Sequence, residues 1–406
     1  MEWKKIIADS EKSKYADKLS AIGEIVLKES KKDEEQVSLM GGNTGQALFL
    51  FYYAKYLGTE KYYDRGMELL NDVFDKINDG FLYHTFSGGL AGVGWAVDHL
   101  IKEEFIDADS EELLGDLDEF LYKMMMTEIK NSQFDFLHGS LGVANYFLSR
   151  SGSEKTKGYL IEFVDVLEKV STKDKDGAVK WKSLLDRDKG IEGYNLSLSH
   201  GISSIFAVLS KMYEQDINKD KVAALLEGAI KFLLKQSLDP GEFDSNFPSW
   251  VCEYPPASSR LAWCYGDLGN AIALWQAAQS TGNKMWEEKV LEIILHATKR
   301  RDIKKSMIYD AGLCHGGAGV SHIFNRMYHY TGKEECKDAA VYWFEHTLKM
   351  ANHENGFAGY KVWRTKEYGG WQNETGFLEG VSGIGLAFLS AISDIEPRWD
   401  SALLMS

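Results

Sequence analysis

Gly42-Asn43-Thr44-Gly45 opens the apolar stretch Leu48-Phe49-Leu50-Phe51, and the same unit returns along the whole chain. It recurs at Gly89-Leu90-Ala91-Gly92, Gly139-Ser140-Leu141-Gly142, Gly266-Asp267-Leu268-Gly269, Gly316-Gly317-Ala318-Gly319 and Gly380-Val381-Ser382-Gly383. A degenerate copy, Gly201-Ile202-Ser203-Ser204, fills the central gap, so successive first glycines lie 47, 50, 62, 65, 50 and 64 residues apart. One Gly-x-x-Gly means nothing. Seven in order, each opening the same kind of segment, define a repeat.

The segments that follow the glycines are apolar on most faces, as in Leu386-Ala387-Phe388-Leu389, and so predict buried helices. Amphipathic stripes lie between them: Leu70, Val73, Phe74 and Ile77 in one, Val222, Leu225, Leu226, Ala229, Ile230 and Leu233 in another. Buried and half-exposed helices therefore alternate. A closed ring satisfies both kinds, whereas an open solenoid needs polar end caps, which neither terminus resembles. The expected fold is all-α: an α/α toroid, a seven-fold double helical barrel over residues 1–406 as one domain. The glycines are expected where inner helices crowd one another and a Cβ has no room. The longer intervals hold alternating stretches, Ala178–Leu184 and Gly359–Arg364, which predict short β-hairpin embellishments on one rim, near 171–195 and 353–375.

Composition narrows the function. Of 406 residues, 44% are hydrophobic, 26% are charged and five are proline, a globular balance. A net charge of −15 disfavours nucleic acid and anionic membranes as partners. Residues 1–9 hold no signal-peptide core, and no apolar run reaches membrane-span length. Four cysteines are too few for a disulfide scaffold, so a cytoplasmic protein is expected.

The repeat also aligns the reactive side chains. Two residues before the first glycine stand Cys264 and Cys314; one residue before it stand His138, His200, Tyr265, His315 and Glu379. In a ring these positions share one height and converge. Two thiols and an imidazole, Cys264, Cys314 and His315, suit zinc, and three protein ligands leave a fourth position open, as in a catalytic site. Adjacent ligands at 314 and 315 need irregular backbone, which Gly316-Gly317 is expected to permit. Against this stands the reading of two buried cysteines as small hydrophobes. Matched register and the neighbouring histidine favour metal. His200 is either a helix-capping polar residue or an acid or base beside the metal, with His138 the second choice. Asp135 is an N-cap, a charge partner or a base, and Arg260 a rim ion pair or an orienter of Asp135 or of a substrate carbonyl. Glu379 and Asp267 are read as solvated or structural. Cys252 and Cys336 fall outside the register, and His322, His329, His346 and His353 show no constellation.

Trp263-Cys264-Tyr265-Gly266, Cys314-His315-Gly316 and Ser199-His200-Gly201, set among seven glycine units, resemble the LanC family of lanthionine synthetase cyclases over nearly the whole chain. The resemblance implies an α/α toroid holding one zinc ion on Cys264, Cys314 and His315, with His200, Asp135, Tyr265 and Arg260 in the active site. It implies addition of cysteine thiols to dehydroalanine or dehydrobutyrine in a ribosomally made precursor peptide. It also implies a dehydratase and an exporter as partners in a biosynthetic complex, through which the protein would associate with the membrane. Two features depart from the pattern: Gly201 lacks its second glycine, and His138 adds an imidazole. Relatives that add glutathione to dehydrated residues share the motifs, so the resemblance leaves that reaction open. Other readings remain. A glycoside hydrolase would use Asp135 and Glu379, although no spacing supports them; a prenyltransferase-type enzyme would share the zinc-thiol chemistry; a scaffold would bind peptide without chemistry.

Overall fold

The computed structural model describes residues 2–32, 34–186 and 188–406, without the side chains of Glu34 and Glu35. Each Gly-x-x-Gly unit, the degenerate one included, opens a helix. These are Asn43–Leu57, Leu90–Lys102, Ser140–Ser149, Ile202–Glu214, Asp267–Thr281, Gly317–Thr331 and Val381–Ile392. They are buried along nearly their whole length, as apolar composition on every face requires. Amphipathic helices follow six of them: Glu60–Asn78, Ser110–Lys130, Glu154–Lys169, Lys219–Leu234, Lys284–Ala297 and Glu334–Lys349. The seventh partner comes from the other end of the chain, because Lys12–Lys28 packs on Val381–Ile392. The second predicted stripe is buried throughout; in the first, Leu70 and Val73 are buried and Phe74 and Ile77 only half so.

The chain divides into two compact units: Met1–Tyr83, Ser87–Gly89 and Arg301–Ser401 in one; His84–Phe86, Leu90–Arg300 and Ala402–Ser406 in the other. In the first unit, residues near the N-terminus lie against the last glycine-headed helix. Trp3 Nε1 donates to the Ser390 carbonyl at 3.0 Å, and the Ile6 amide donates to Ala391 at 3.0 Å. In the second unit the Trp263 indole donates to the Leu403 carbonyl at 2.7 Å, fixing the residue just before Cys264.

The second glycine of the motif meets up to two obstacles. A Cβ at Gly319 or Gly383 would collide with the carbonyl oxygen six residues upstream, Leu313 or Phe377, where the chain folds back over its own helix start. At Gly383 it would also press on the Leu313 side chain of the preceding repeat. Crowding between repeats, the expected cause, is thus joined by crowding within each repeat.

The strands are short and antiparallel. Thr172–Lys173 pairs with Val179–Lys180, and Val362–Trp363 with Trp371–Gln372. Ser183–Asp186 pairs with Ile191–Asn195, which also takes Trp250–Val251 as a third strand that no local alternation announced. Among the described residues no helix is long and apolar enough to cross a membrane.

Candidate metal centre

Backbone hydrogen bonds enforce the register that the sequence suggests. At four places the residue two before a first glycine reaches for its counterpart in the next repeat. In one unit the Leu198 and Ser199 amides lie 3.2 and 3.5 Å from the Cys264 carbonyl. In the other, Leu313 and Cys314 donate to Leu378 at 2.9 and 3.0 Å, Leu378 to Met40 at 2.9 Å, and Met40 to Ser87 at 3.1 Å. Both cysteines therefore sit on main chain held from outside their own repeat.

Cys264 is buried in a run of bends that ends at Gly266, where φ is +94° and ψ is −159°. That conformation is nearly reserved to glycine, and a Cβ there would strike the Arg260 carbonyl. Asp267, the first residue of the following helix, is a structural carboxylate as expected: fully buried, it accepts from the Asn246 and Phe247 amides and lies 3.4 Å from Arg300 Nη1.

In the same unit His200 and Asp135 form a dyad. His200 Nδ1 and Asp135 Oδ2 are 2.7 Å apart. The other oxygen, Oδ1, accepts from the Leu137 and His138 amides at 2.8 Å each. Burial works against charge on both partners, yet their mutual contact prevails: Asp135 is held below the usual carboxylate range and His200 above the usual imidazole range. The His138 ring stacks on His200 with centroids 5.9 Å apart, and the Tyr265 ring lies 6.1 Å away on a tilted plane. Burial pushes the Tyr265 phenol up, so it stays protonated. Arg260, offered from sequence as an orienter of Asp135, makes no ion pair with it among the described residues. The histidine and two amides occupy that carboxylate instead.

The other unit holds Cys314 and His315 in a turn just before Gly317–Thr331. Gly316 has ordinary extended backbone, φ −106° and ψ −177°, so left-handed freedom is not why it is glycine. A Cβ there would collide with the Gly312 amide and Asp310 Oδ1. Asp310 escaped the sequence analysis. It is 2% exposed, accepts from the Trp363 amide at 2.9 Å and from Gly312 at 3.2 Å, and places Oδ2 3.4 Å from His315 Nε2. Burial opposes its charge, but these contacts hold its pKa down. Asp310 lies six residues before the first glycine, outside the positions that the repeat aligns. Glu379 pairs with Arg364 Nη2 at 2.5 Å, and burial pushes its carboxyl up. It is a paired structural carboxylate, not a solvated one.

The candidate ligands fall in both units, Cys264 in the second and Cys314 with His315 in the first. Two soft sulfurs with one imidazole nitrogen fit zinc or another thiophilic ion, and do not fit calcium or magnesium, which take oxygen. His322, read as unattached, belongs to a different cluster. It is fully buried between Ser390 Oγ at 3.0 Å and Asp400 Oδ2 at 2.7 Å, and Arg326 Nε donates to the same Asp400 oxygen at 2.6 Å.

The family model for lanthionine synthetase C-like proteins matches residues 33–404. Among solved structures, nisin cyclase superposes with a TM-score of 0.76 at 19% identity, covering 98% of this chain and 98% of its own. At that identity the likeness shows the fold alone, and it is the all-α toroid class expected from the repeat. A sugar epimerase from a ruminal bacterium superposes with a TM-score of 0.46 at 12% identity, over 94% of this chain and 98% of that one. Cellobiose 2-epimerase from Bacillus thermoamylovorans gives 0.46 at 10% identity, over 95% and 99%.

Proposed function

The chain belongs to the lanthionine synthetase C-like family, and on that premise we propose that it is a zinc-dependent peptide cyclase. It adds cysteine thiols of a ribosomally made precursor to dehydroalanine or dehydrobutyrine, closing lanthionine or methyllanthionine thioether rings. The observation that carries the reading is the His200–Asp135 dyad one hydrogen-bonded repeat from Cys264, and the donor set of Cys264, Cys314 and His315 at matched positions of the repeat supports it.

The reaction needs a sulfur nucleophile and a proton for the enolate that addition creates. Cys264, Cys314 and His315 would hold the zinc, which would supply Lewis-acid chemistry that lowers the pKa of a substrate thiol. Ionisation alone is a modest gain: a free thiol of pKa about 8.5 is roughly 3% ionised at pH 7, so the ceiling is about 30-fold. Lower basicity also lowers nucleophilicity. Placement must contribute more, since well-oriented reactants reach effective molarities of about 10⁵ M or above.

The chain's own groups handle the proton. Asp135 occupies Nδ1 of His200, fixing the ring and leaving Nε2 to deliver a proton to the enolate carbon. Because both oxygens of Asp135 are engaged, it acts as the orienter of His200 rather than as the base that accepts the thiol proton, which passes to solvent, and solvent returns a proton to His200 after turnover. Tyr265, kept protonated by burial, donates to the enolate oxygen. Since the acceptor must already carry dehydrated Ser or Thr, a dehydratase acts first.

The deciding experiment incubates the protein with a dehydrated, cysteine-containing peptide, with and without a chelator. Cyclisation consumes alkylatable thiol without changing mass, is lost on chelation and returns with zinc. A mass gain with added glutathione would reassign the acceptor chemistry. Persistent free thiol in zinc-loaded samples would end the proposal.

A further inference from the structure

A metal-bound imidazole has two nitrogens, and the second needs a partner to fix the ring. In His315 the structure supplies one. Its Nε2 faces Asp310 Oδ2 at 3.4 Å, and Asp310 is buried, held in place by two main-chain amides and not by solvent. One of those amides is Trp363, on the strand Val362–Trp363 of the inserted hairpin, so the hairpin is tied through one carboxylate to the imidazole. Gly316 lacks the Cβ that would press on Asp310 Oδ1, which preserves the arrangement.

We propose that Asp310 is the positioning residue of the metal centre. It accepts the Nε2 proton of His315, commits Nδ1 to the ion, and raises the basicity of that nitrogen. The inference rests on the proposed zinc reading and extends it to a residue outside the ligand set. It also assigns the inserted hairpin a role, since the Trp363 amide keeps the carboxylate aimed.

The test compares wild-type protein with Asp310→Asn, which keeps shape but loses the charge and turns one of two acceptor oxygens into a donor, so it cannot serve the Gly312 amide on one side and the Trp363 amide with the His315 ring on the other. The expected result is a zinc dissociation constant raised about 10- to 100-fold in chelator competition, with the metal-free variant still folded by circular dichroism. Nitrogen NMR of the wild-type zinc form, which does not depend on any variant folding, should show His315 protonated on Nε2 and metallated on Nδ1. Zinc affinity unchanged in a folded Asp310→Asn, or metal on Nε2, would overturn the positioning role while leaving the zinc site standing. A wild-type protein that binds no zinc would instead overturn the zinc reading and this inference with it.

Discussion

The two oxygens of Asp135 go to different partners: one to a pair of backbone amides, one to an imidazole. That division makes it a fixed point from which the His200 ring is aimed. His200→Ala should keep zinc, since the ligands lie elsewhere, yet lose cyclisation by about 10²- to 10⁴-fold, the usual worth of a positioned general acid. Zinc content together with ring formation by thiol alkylation checks this, and near-wild-type turnover would move the proton role to His138. Asp135→Asn has a directional signature. The carboxylate contact raises the pKa of His200 against burial, so its loss lowers that pKa. The acid form of His200 then disappears at lower pH, and the alkaline limb of the pH–rate profile should move toward acid. A limb that stays in place would sever the dyad from catalysis. At this scale the sequence was informative where the repeat aligned a residue, as with Cys264, Cys314, His315 and His200. It was silent on Asp310, because nothing local marks a carboxylate whose partners arrive from positions 315 and 363.

Among the helices, the Gly-x-x-Gly signature is a close-approach device at the helix start, as at Gly45, Gly142, Gly269, Gly319 and Gly383, and at Gly266 it is also a conformational one. Gly266→Ala would force a side chain into φ +94° and ψ −159° and against the Arg260 carbonyl. Backbone strain of that kind costs about 1–3 kcal/mol, readable as a lower urea midpoint. Because Cys264 stands two residues upstream, zinc affinity should fall in the same variant. Unchanged stability and metal binding would mean that the turn relaxes at no cost. The short strands follow a different logic. Val179–Lys180 and Val362–Trp363 fell within stretches whose alternation was visible, whereas Trp250–Val251 is a strand only because Ile191–Asn195 offers it an open edge. Pairing, not propensity, makes two residues a strand.

A buried charge network of the first unit joins three segments: His322 and Arg326 on Gly317–Thr331, Ser390 on Val381–Ile392, and Asp400 in the turn Arg398–Leu403. Burial depresses His322, so the folded state keeps it neutral while the unfolded chain takes up a proton below about pH 6.5. Stability from this group is present at pH 7 and declines as pH falls below that point. Burial opposes the charge of Asp400, but Arg326 and His322 hold its pKa well below the usual range, so its contribution persists until strongly acid pH. Asp400→Asn removes the partner of a buried guanidinium and should cost about 3–5 kcal/mol at pH 7, measured by urea unfolding. A loss under about 1 kcal/mol would show that the network is not a stabilising one. The amino-acid order by itself determined the helical class, the sevenfold count and the identity of the metal-ligand candidates, because a repeated Gly-x-x-Gly before apolar helices marks a helix start wherever it occurs. Only the tertiary structure decided what stands beside them: the Trp363 amide on Asp310, Asp135 on His200, Ser390 and Asp400 around His322. Such partners are chosen by which segments meet in space, and a hydrogen bond across 50 or 80 residues leaves no periodic trace in the chain that makes it.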